Sequence, residues 1–361
     1  MAAGSIPMHV IRHKGPIMLL TTQYLGLTLK NPIVASASPL NSKIDNLRRL
    51  EDAGAAAIVL PSLFQEQIES EAETMTARVD AFAESSPEAL SYFPAAANGP
   101  YGMYPERYLD LIRRGKEAVS IPIIASLNGS SRAGWIDYAK LIEQAGAAAL
   151  ELNMYHIPTD LLESGRDIEA HYTDIVKGVC GSVTLPVSIK LTPYLSAIGH
   201  FAVTLADHGA AGLVLFNRLM EPDIDLLQMK LTDTLELSDS SELRLPLLWV
   251  AILAGRTKAS LAVSTGVQTV DDVVKCLLAG ADTVMTTSSL LRDGINHMSA
   301  LTEGLRQWME QREIACLADM RGMMSWMHSR DRSVYTRANY IRILDRYSAS
   351  PKDHFPWPRV D

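Results

Sequence analysis

Three asparagines and one lysine stand within or at the ends of short apolar runs, where they could together hold a planar polar ligand. Asn128, Asn153 and Asn217 each close such a run. An amide offers both a donor and an acceptor, which suits the edge of an isoalloxazine or a pyrimidine. Single asparagines at strand ends are usually turn residues, so the coincidence of three carries this interpretation.

Lys190 lies in the apolar run "LPVSIKL". Because burying an unpaired ammonium is costly, this lysine is expected to have a function. It could form an imine, bind a phosphate, or donate to a ring atom of a cofactor. The alternative is a lysine whose stem is buried while its head reaches water.

Two short segments rich in small hydroxyl side chains suit an anion. One is "STG", with Ser264, Thr265 and Gly266, and the other is "TTSS", which includes Thr287 and Ser288. Each follows an apolar run near the end of the chain. In many α/β barrels the last two such loops bind a phosphate, although serine and threonine also cap helices. We expect phosphate binding here.

The stretch "ELNMYHIP" carries Tyr155 and His156 directly after Asn153. Histidine has an ordinary pKa of about 6.5, so His156 could act as a general base near neutral pH, with Tyr155 as the second candidate. The alternative for His156 is a hydrogen-bonding spacer in a polar loop.

A repeated pattern predicts the elements that position these residues. "EDAGAAAIVLPS", "EQAGAAALELN", "ADHGAAGLVLFN" and "LLAGADTVMTT" each join a helix end to an apolar run through a glycine. That glycine stands where a helix can end in a left-handed turn. The preceding helices have one apolar face, for example Ile198, Phe201, Ala202 and Leu205.

Four further apolar runs complete a set of eight predicted strands. Buried strands separated by helices imply a parallel sheet, and eight units imply a closed (β/α)8 TIM barrel. A doubly wound open sheet is the alternative, disfavoured because no GxGxxG follows the first strand. The predicted strands are 33–36, 57–60, 122–127, 149–153, 186–191, 212–216, 260–264 and 283–286.

Two connections are longer than a plain barrel needs and are predicted to be insertions. Residues 64–119 follow the second strand and residues 217–243 follow the sixth. The C-terminal tail is expected to begin as a helix and pack against the barrel. Residues 1–17 are interpreted as an upstream extension or an added segment, with Met18 as an alternative start, so that 18–361 form one barrel domain.

Composition narrows the class of protein. The 361 residues are 47% hydrophobic with a net charge of −8, and no basic stripe suggests a nucleic-acid partner. The three cysteines, Cys180, Cys276 and Cys316, lie far apart, which argues against a metal site or disulfides and suits a reducing cytosol. No apolar run is long enough to span a bilayer, so no membrane association is expected.

These motifs together resemble the soluble dihydroorotate dehydrogenase family of FMN-dependent barrels, and more closely its dihydroorotate dehydrogenase-like branch. The similarity runs from about Thr21 to the tail and includes "YLGLTLKNPIVASAS", "LELN", "IKLTPY", "LVLFNR", "STGV" and "RANYIRIL". It implies a cytoplasmic flavoprotein, a homodimer, and a role in pyrimidine biosynthesis. It also implies hydride transfer between FMN and a small planar anionic substrate, with an electron acceptor or partner protein that is not identified.

The resemblance assigns roles by position. Lys190 matches the lysine that contacts the flavin ring. Asn153 and Asn217 match amides that hold flavin or substrate, and Asn98 matches a substrate-binding asparagine. The resemblance also places Ser36, Ala37, Asn128, Ser264, Thr265, Gly266, Thr287 and Ser288 at the FMN.

The sequence departs from the family at three places. Pro61-Ser62 replaces a usual Lys-Ser pair, "NMYHIP" replaces the loop that carries a Cys or Ser base, and Thr265 replaces a glycine. FMN binding is therefore better supported than dihydroorotate chemistry, and His156 or Tyr155 becomes the candidate base by position. Two alternatives stay open: a flavin-binding subunit without dehydrogenase activity, and a lyase or aldolase that uses Lys190.

Overall fold

The barrel predicted from the sequence is present and closed. The computed structural model describes residues 19–64, 105–128, 132–155, 157–232 and 234–349. Eight parallel strands close in the order β11-β12-β3-β4-β5-β6-β7-β8, and helices surround them. The (β/α)8 prediction is confirmed, and the doubly wound open sheet is excluded. All eight predicted strands occur in the barrel.

The strands are β1 (Thr22–Tyr24), β2 (Leu27–Leu29), β3 (Ile33–Ala35), β4 (Ile58–Phe64), β5 (Ile123–Asn128), β6 (Ala149–Asn153), β7 (Val187–Leu191), β8 (Gly212–Leu215), β9 (Asp223–Asp225), β10 (Lys230–Thr232), β11 (Ser260–Val263) and β12 (Thr283–Thr286). The helices are α1 (Ile44–Asp52), α2 (Pro105–Ala118), α3 (Arg132–Ala145), α4 (Gly165–Cys180), α5 (Ile198–Asp207), α6 (Arg244–Leu253), α7 (Val270–Ala279), α8 (Ser288–Asp293), α9 (His297–Glu310), α10 (Leu317–Met320) and α11 (Ala338–Ala349). Short 3-10 turns occupy Pro39–Ser42, Ser240–Leu243 and Arg332–Tyr335.

The glycines of the repeated pattern adopt the left-handed conformation predicted for them. Gly54, Gly146, Gly209 and Gly280 have φ between +89° and +119°. Each ends the helix that precedes a barrel strand, because a residue without Cβ reverses the chain there at little steric cost. The apolar face predicted for α5 is buried, which anchors that helix on the barrel.

Gly280 combines this backbone conformation with close packing, which leads to a stability prediction. A Cβ at Gly280 would lie 2.4 Å from Cβ of Ala254. At Gly294, which also has positive φ, a Cβ would meet nothing within 4 Å. We expect Gly280→Ala to lower the free energy of unfolding by about 2–3 kcal/mol and Gly294→Ala by about 1 kcal/mol, the difference being the steric clash. Urea unfolding of both variants measures it; equal losses would contradict the packing.

An antiparallel hairpin that was not predicted closes the N-terminal end of the barrel. It consists of β1 and β2, and Leu25 at its turn donates its backbone N–H to Oγ of Ser260 over 3.2 Å. Tyr24 and Leu25 pack with the inward-facing residues of the barrel, among them Val34, Val214 and Met285. The two strands are three residues each, too short for their alternation to be distinguished in the sequence.

The inward-facing side chains alternate along each barrel strand with those that face the helices. On β6, Ala149 belongs to the interior cluster, whereas Leu150 and Leu152 pack in the layer under the helices. Glu151 and Asn153 therefore share the inward face with Ala149, since side chains alternate with a period of two.

The insertions differ from their predicted extents. β4 continues to Phe64 instead of ending at residue 60, and residues 105–118 form the barrel helix α2. Residues 65–104, the rest of the predicted insertion after the second strand, lie outside the described part. The insertion after the sixth strand contains an unpredicted hairpin of β9 and β10.

The tail is helical as predicted, but the expectation that it packs on the barrel is wrong for α11. Its large apolar side chains Tyr340, Ile341, Ile343 and Leu344 are all between 46% and 67% exposed. The helix instead contacts the turn at 332–335, where Arg342 pairs with Asp331 over 2.8 Å. Within the described ranges, no helix is both long and apolar enough to cross a membrane.

Candidate active site

A cavity of about 450 Å³ opens at the C-terminal ends of the barrel strands. Its size is within the range in which proteins bind small molecules and cofactors. Among the residues singled out in the sequence, the cavity is lined by Ser36, Ala37, Asn153, Tyr155, Lys190, Asn217, Ser264, Thr265, Gly266, Thr287 and Ser288. Side chains from both halves of the chain thus meet at one site.

A chain of hydrogen bonds joins the amides on one wall of the cavity. Asn217 donates from Nδ2 to Oδ1 of Asn153 over 2.6 Å, and Nδ2 of Asn153 donates to Oγ of Ser62 over 3.2 Å. The hydroxyls of Ser62 and Ser126 are 2.8 Å apart. These contacts fix the orientation of the Asn153 amide, so its donor and acceptor edges are held by β4 and by the loop after β8.

Lys190 lies beside this chain on β7. Its Cα pairs with that of Asn153 in the parallel ladder, and the residue is only 8% exposed. Alternation places Lys190 on the inward face of its strand, because Ile189 and Leu191 pack under the helices. Lys190 thus lines the cavity from the inward face of β7 and has little exposed surface.

A second wall of the cavity comes from the loops after β11 and β12. Thr265 has φ +77°, in the left-handed region that favours glycine, and its hydroxyl donates to the carbonyl of Phe216 over 3.0 Å. Thr265, one of the departures noted in the sequence, therefore adopts a backbone conformation that favours glycine. The next residue, Gly266, also has φ +77°, so the loop turns tightly around the cavity.

Ser238 connects the two loops of this wall. Its hydroxyl accepts the backbone N–H of Gly266 over 3.3 Å and lies 2.7 Å from Oγ of Ser288. The backbone of one loop and a hydroxyl of the other therefore meet at one serine oxygen.

Ser62 and Ser238 make polar contacts at the site that sequence reasoning did not assign to it. Ser62 was noticed only as part of a departure from the family, whereas its position in β4, next to an irregularity in the ladder after Val59, carries its hydroxyl to Asn153. Ser238 lies in the long connection after β8, where no periodic pattern marks it.

Arg218 also lines the cavity and was not singled out. Nε of Arg218 donates to Glu242 over 2.8 Å, and its NH1 group donates to the carbonyl of Glu236. These contacts tie the insertion to the rim of the barrel. Arg218 directly follows Asn217 in "LVLFNR". Its position next to a predicted site residue was the sequence signal that could have identified it.

One predicted site residue that the structure describes, Asn128, is not part of the cavity lining. Asn128 is buried at the end of β5 but does not line the cavity, and its Nδ2 has no hydrogen-bond partner in the described ranges. His156 and Asn98 lie outside the described residues. Tyr155 does line the cavity, and its hydroxyl accepts the backbone N–H of Met220 over 2.8 Å.

None of the described residues that line the cavity is a cysteine. Cys276 is fully buried in α7, as expected for a small packing side chain, and burial raises the pKa of its thiol. Burial also raises the pKa of Cys180 to about 11. The part of the chain that the structure describes contains no cluster of three or more His, Cys, Asp or Glu side chains that could hold a metal ion.

Comparison with known proteins gives one family. The profile of the dihydroorotate dehydrogenase family matches residues 19–309. A putative dihydroorotate dehydrogenase A (fumarate) of Aeropyrum pernix is 30% identical over 213 residues, which cover 57% of this chain and 68% of that protein. The catalytic subunit of dihydroorotate dehydrogenase B (NAD(+)) of Pyrococcus furiosus is 24% identical over 310 residues, covering 85% of this chain and 99% of the relative. The corresponding subunit of Thermoplasma acidophilum is 23% identical over 309 residues, covering 84% and 98%.

Proposed function

The chain belongs to the dihydroorotate dehydrogenase family of oxidoreductases, and on that premise we propose that it binds FMN and transfers a hydride between it and a small planar anionic substrate. The observation that carries the proposal is the composition of one cavity. A buried lysine and two linked amides face hydroxyls and backbone turns from the last two barrel loops. These are the groups that a flavin ring and its phosphate would need at opposite ends.

The donor set fits FMN. The turn at Thr265 and Gly266 and the hydroxyl of Ser288 line the cavity, so a phosphate there would meet a tight backbone turn and hydroxyl groups from both loops. Asn128 has a buried Nδ2 without a partner in the described ranges but does not line the cavity, so its contact with the ring is proposed from the family resemblance alone. We assign the phosphate to Ser264, Thr265, Gly266, Thr287 and Ser288, and the ring to Ser36, Ala37, Asn128, Asn153 and Lys190.

When bound, FMN would supply the two-electron chemistry, and the protein would supply orientation, charge and proton handling. Lys190 would place a positive charge where negative charge develops on reduction. Asn153 and Asn217 would hold a planar substrate by its amide-like edges, and Asn98 is the further candidate for that contact. The names of the relatives suggest dihydroorotate, or a related compound, as the substrate.

A flavin-binding subunit without dehydrogenase activity is the second candidate. Pro61 lies within β4 and lines the cavity. The family resemblance places a lysine at this position, so here an apolar ring replaces a positively charged side chain. This departure weakens electrostatic binding of an anionic substrate without removing the proposed FMN contacts.

The visible spectrum of the purified protein and its anaerobic mixing with dihydroorotate separate these functions. We expect a flavin band at about one FMN per chain, and bleaching of the band on mixing. A flavin band that dihydroorotate and related acids leave unchanged would favour the non-catalytic subunit. A colourless protein that does not take up FMN would contradict both and favour the lyase or aldolase that uses Lys190.

The proton acceptor is tested by two variants in the loop after β6. We propose His156 as the base and expect His156→Asn to slow flavin reduction about a hundredfold and to remove a pKa near neutrality, with FMN content unchanged. Tyr155→Phe removes a hydroxyl that accepts Met220 N–H, and we expect a smaller effect from it. Stopped-flow reduction as a function of pH measures both. Equal rates in His156→Asn and wild type would exclude His156, and a larger loss in Tyr155→Phe would transfer the role to Tyr155.

We further propose that residues 18–361 act as one domain, that the protein is a cytoplasmic homodimer, and that a small acceptor or a partner protein reoxidises the flavin. The relatives named above are described with fumarate or NAD(+). Oxidation of the reduced protein by each of these two compounds in turn distinguishes the acceptors.

A further inference from the structure

Glu151 is a buried carboxylic acid inside the barrel that the proposed function does not use. It lies on β6, is 0% exposed, and neither of its carboxyl oxygens has a hydrogen-bond partner in the described ranges. An ionised carboxylate without partners in such a place is strongly disfavoured. A side chain of this kind persists at a cost in stability, so a role is expected for it.

The strand register places Glu151 one inward-facing step below the wall of the cavity. Glu151 pairs with Ser188 on β7, and the next inward-facing pair is Asn153 with Lys190. With strands about 4.8 Å apart and two residues spanning about 6.6 Å, the Cα atoms of Glu151 and Lys190 lie roughly 8 Å apart. Both side chains are long enough to approach one another across that gap.

Among the described residues, the other neighbours of the carboxyl are neutral at ordinary pH. Tyr24 of the hairpin below and Tyr108 of α2 are fully buried and close enough to be affected by the charge of Glu151. The Tyr108 hydroxyl bonds the backbone of Ser126. Burial, with the Glu151 charge as a smaller cause, raises the pKa of each phenol, so neither supplies a charge. Ser126 and Ser188 flank Glu151 on the adjacent strands.

Lys190 is therefore the charged group to which Glu151 responds. Burial raises the pKa of the Glu151 carboxyl, and the ammonium of Lys190 opposes that rise. If negative charge appeared beyond Lys190, it would offset the ammonium and favour the protonated acid. The charge state of Glu151 is thus coupled to whatever charge forms in the cavity above it.

We propose that Glu151 is a redox-linked proton acceptor, whose carboxylate takes up one proton from solvent when a flavin bound above Lys190 is reduced. The inference rests on the proposed FMN function. In the balance, two electrons and one proton reach the flavin as a hydride from the substrate, and a second proton binds an oxygen of Glu151. Two protons then accompany two electrons, and the net charge of the site stays unchanged on reduction.

The sign of the pH dependence follows. The pKa of Glu151 is raised in the oxidised protein and is raised further on reduction, when the flavin becomes anionic. At a pH between the pKa of Glu151 in the oxidised protein and its pKa in the reduced protein, reduction of the protein takes up two protons. Reduction of the flavin alone takes up one. In that window the midpoint potential should fall with pH twice as steeply as it does when one proton accompanies two electrons.

The test is to measure the midpoint potential of the FMN-loaded protein in wild type, Glu151→Gln and Glu303→Gln. The measurement runs from roughly pH 5 to 9, because this range lies above the ordinary pKa of glutamate. Glutamine has the shape of a protonated glutamic acid, and Glu303 is an exposed residue of α9 that serves as the matched control. Wild type and Glu303→Gln should show a segment of doubled slope, and Glu151→Gln should not.

An infrared difference spectrum between reduced and oxidised protein gives a second measurement. A carboxylic acid C=O band should appear on reduction in wild type and be absent in Glu151→Gln. Two results would overturn the inference about Glu151 and leave the proposed FMN function standing. In one, wild type binds FMN but shows the slope for a single proton throughout. In the other, Glu151→Gln keeps the doubled slope. Failure of wild type to bind FMN would overturn the proposed function and this inference with it.

Discussion

Replacing Lys190 with methionine is expected to lower the midpoint potential of bound FMN by roughly 40–90 mV and to slow its reduction by substrate about 30- to 1000-fold. Lys190 is buried at the cavity, and its charge would stabilise the anionic reduced flavin. Removing one preorganised donor from a developing charge costs about 2–4 kcal/mol. For a two-electron couple, about 1.4 kcal/mol corresponds to 30 mV.

Methionine keeps the length of the lysine stem without its charge. Loss of the ammonium also removes the interaction that opposes protonation of Glu151, so the variant leaves a neutral acid in the barrel and not an unpaired anion. Lys177→Met, an exposed change on α4, is the control for removing a positive charge from the protein. Unchanged potential and FMN content in Lys190→Met would show that Lys190 only reaches water at the rim.

Replacing Ser288 with aspartate is expected to weaken FMN binding about 30- to 1000-fold. Ser288 lines the cavity, and its hydroxyl neighbours the Ser238 oxygen on which the two loops converge. A carboxylate there would add a negative charge to the loop assigned to the phosphate, and contacting charged groups are about 4 Å apart. Repulsion of like charges at that distance is worth about 2–4 kcal/mol at a partly buried site. Equilibrium titration of the apoprotein with FMN measures the affinity.

Two comparisons isolate the charge from the size of the new side chain. Ser288→Asn introduces a neutral group of the same shape and should weaken binding much less. Riboflavin lacks the phosphate, so its affinity should be almost equal in Ser288→Asp and wild type. If aspartate and asparagine weakened FMN binding equally, the phosphate would have to lie elsewhere.

Gly266, another candidate for the phosphate loop, is less suitable for this test. A Cβ at Gly266 would lie 2.6 Å from the backbone nitrogen of Leu243, and the residue already has positive φ. Any side chain there would displace the turn at Ser240–Leu243. Loss of FMN from such a variant would report on the fold of the loop and not on its charge.

The sequence by itself determined the barrel and the end of it that carries the site. Eight apolar runs alternate with amphipathic helices, and glycines such as Gly54 and Gly280 end the helices that precede the strands. These signals are local, because hydrophobic periodicity and left-handed turns depend on neighbours along the chain. Polar residues at the ends of parallel strands must meet at one face, so the sequence also indicated that Lys190, Asn153 and Asn217 lie close together.

Only the tertiary structure decided which partners these residues have. The bond from Asn217 to Asn153 joins residues 64 positions apart, and Ser238 reaches Gly266 and Ser288 from a connection without periodicity. The burial of Glu151 likewise depends on the closing of the barrel and on Tyr24 from the hairpin beneath it. Such contacts arise from long-range packing, which sets each side chain against residues that no local pattern specifies. Local sequence therefore fixed the scaffold, and the closed barrel decided the polar contacts, because burial and hydrogen-bond partners are properties of the assembled core.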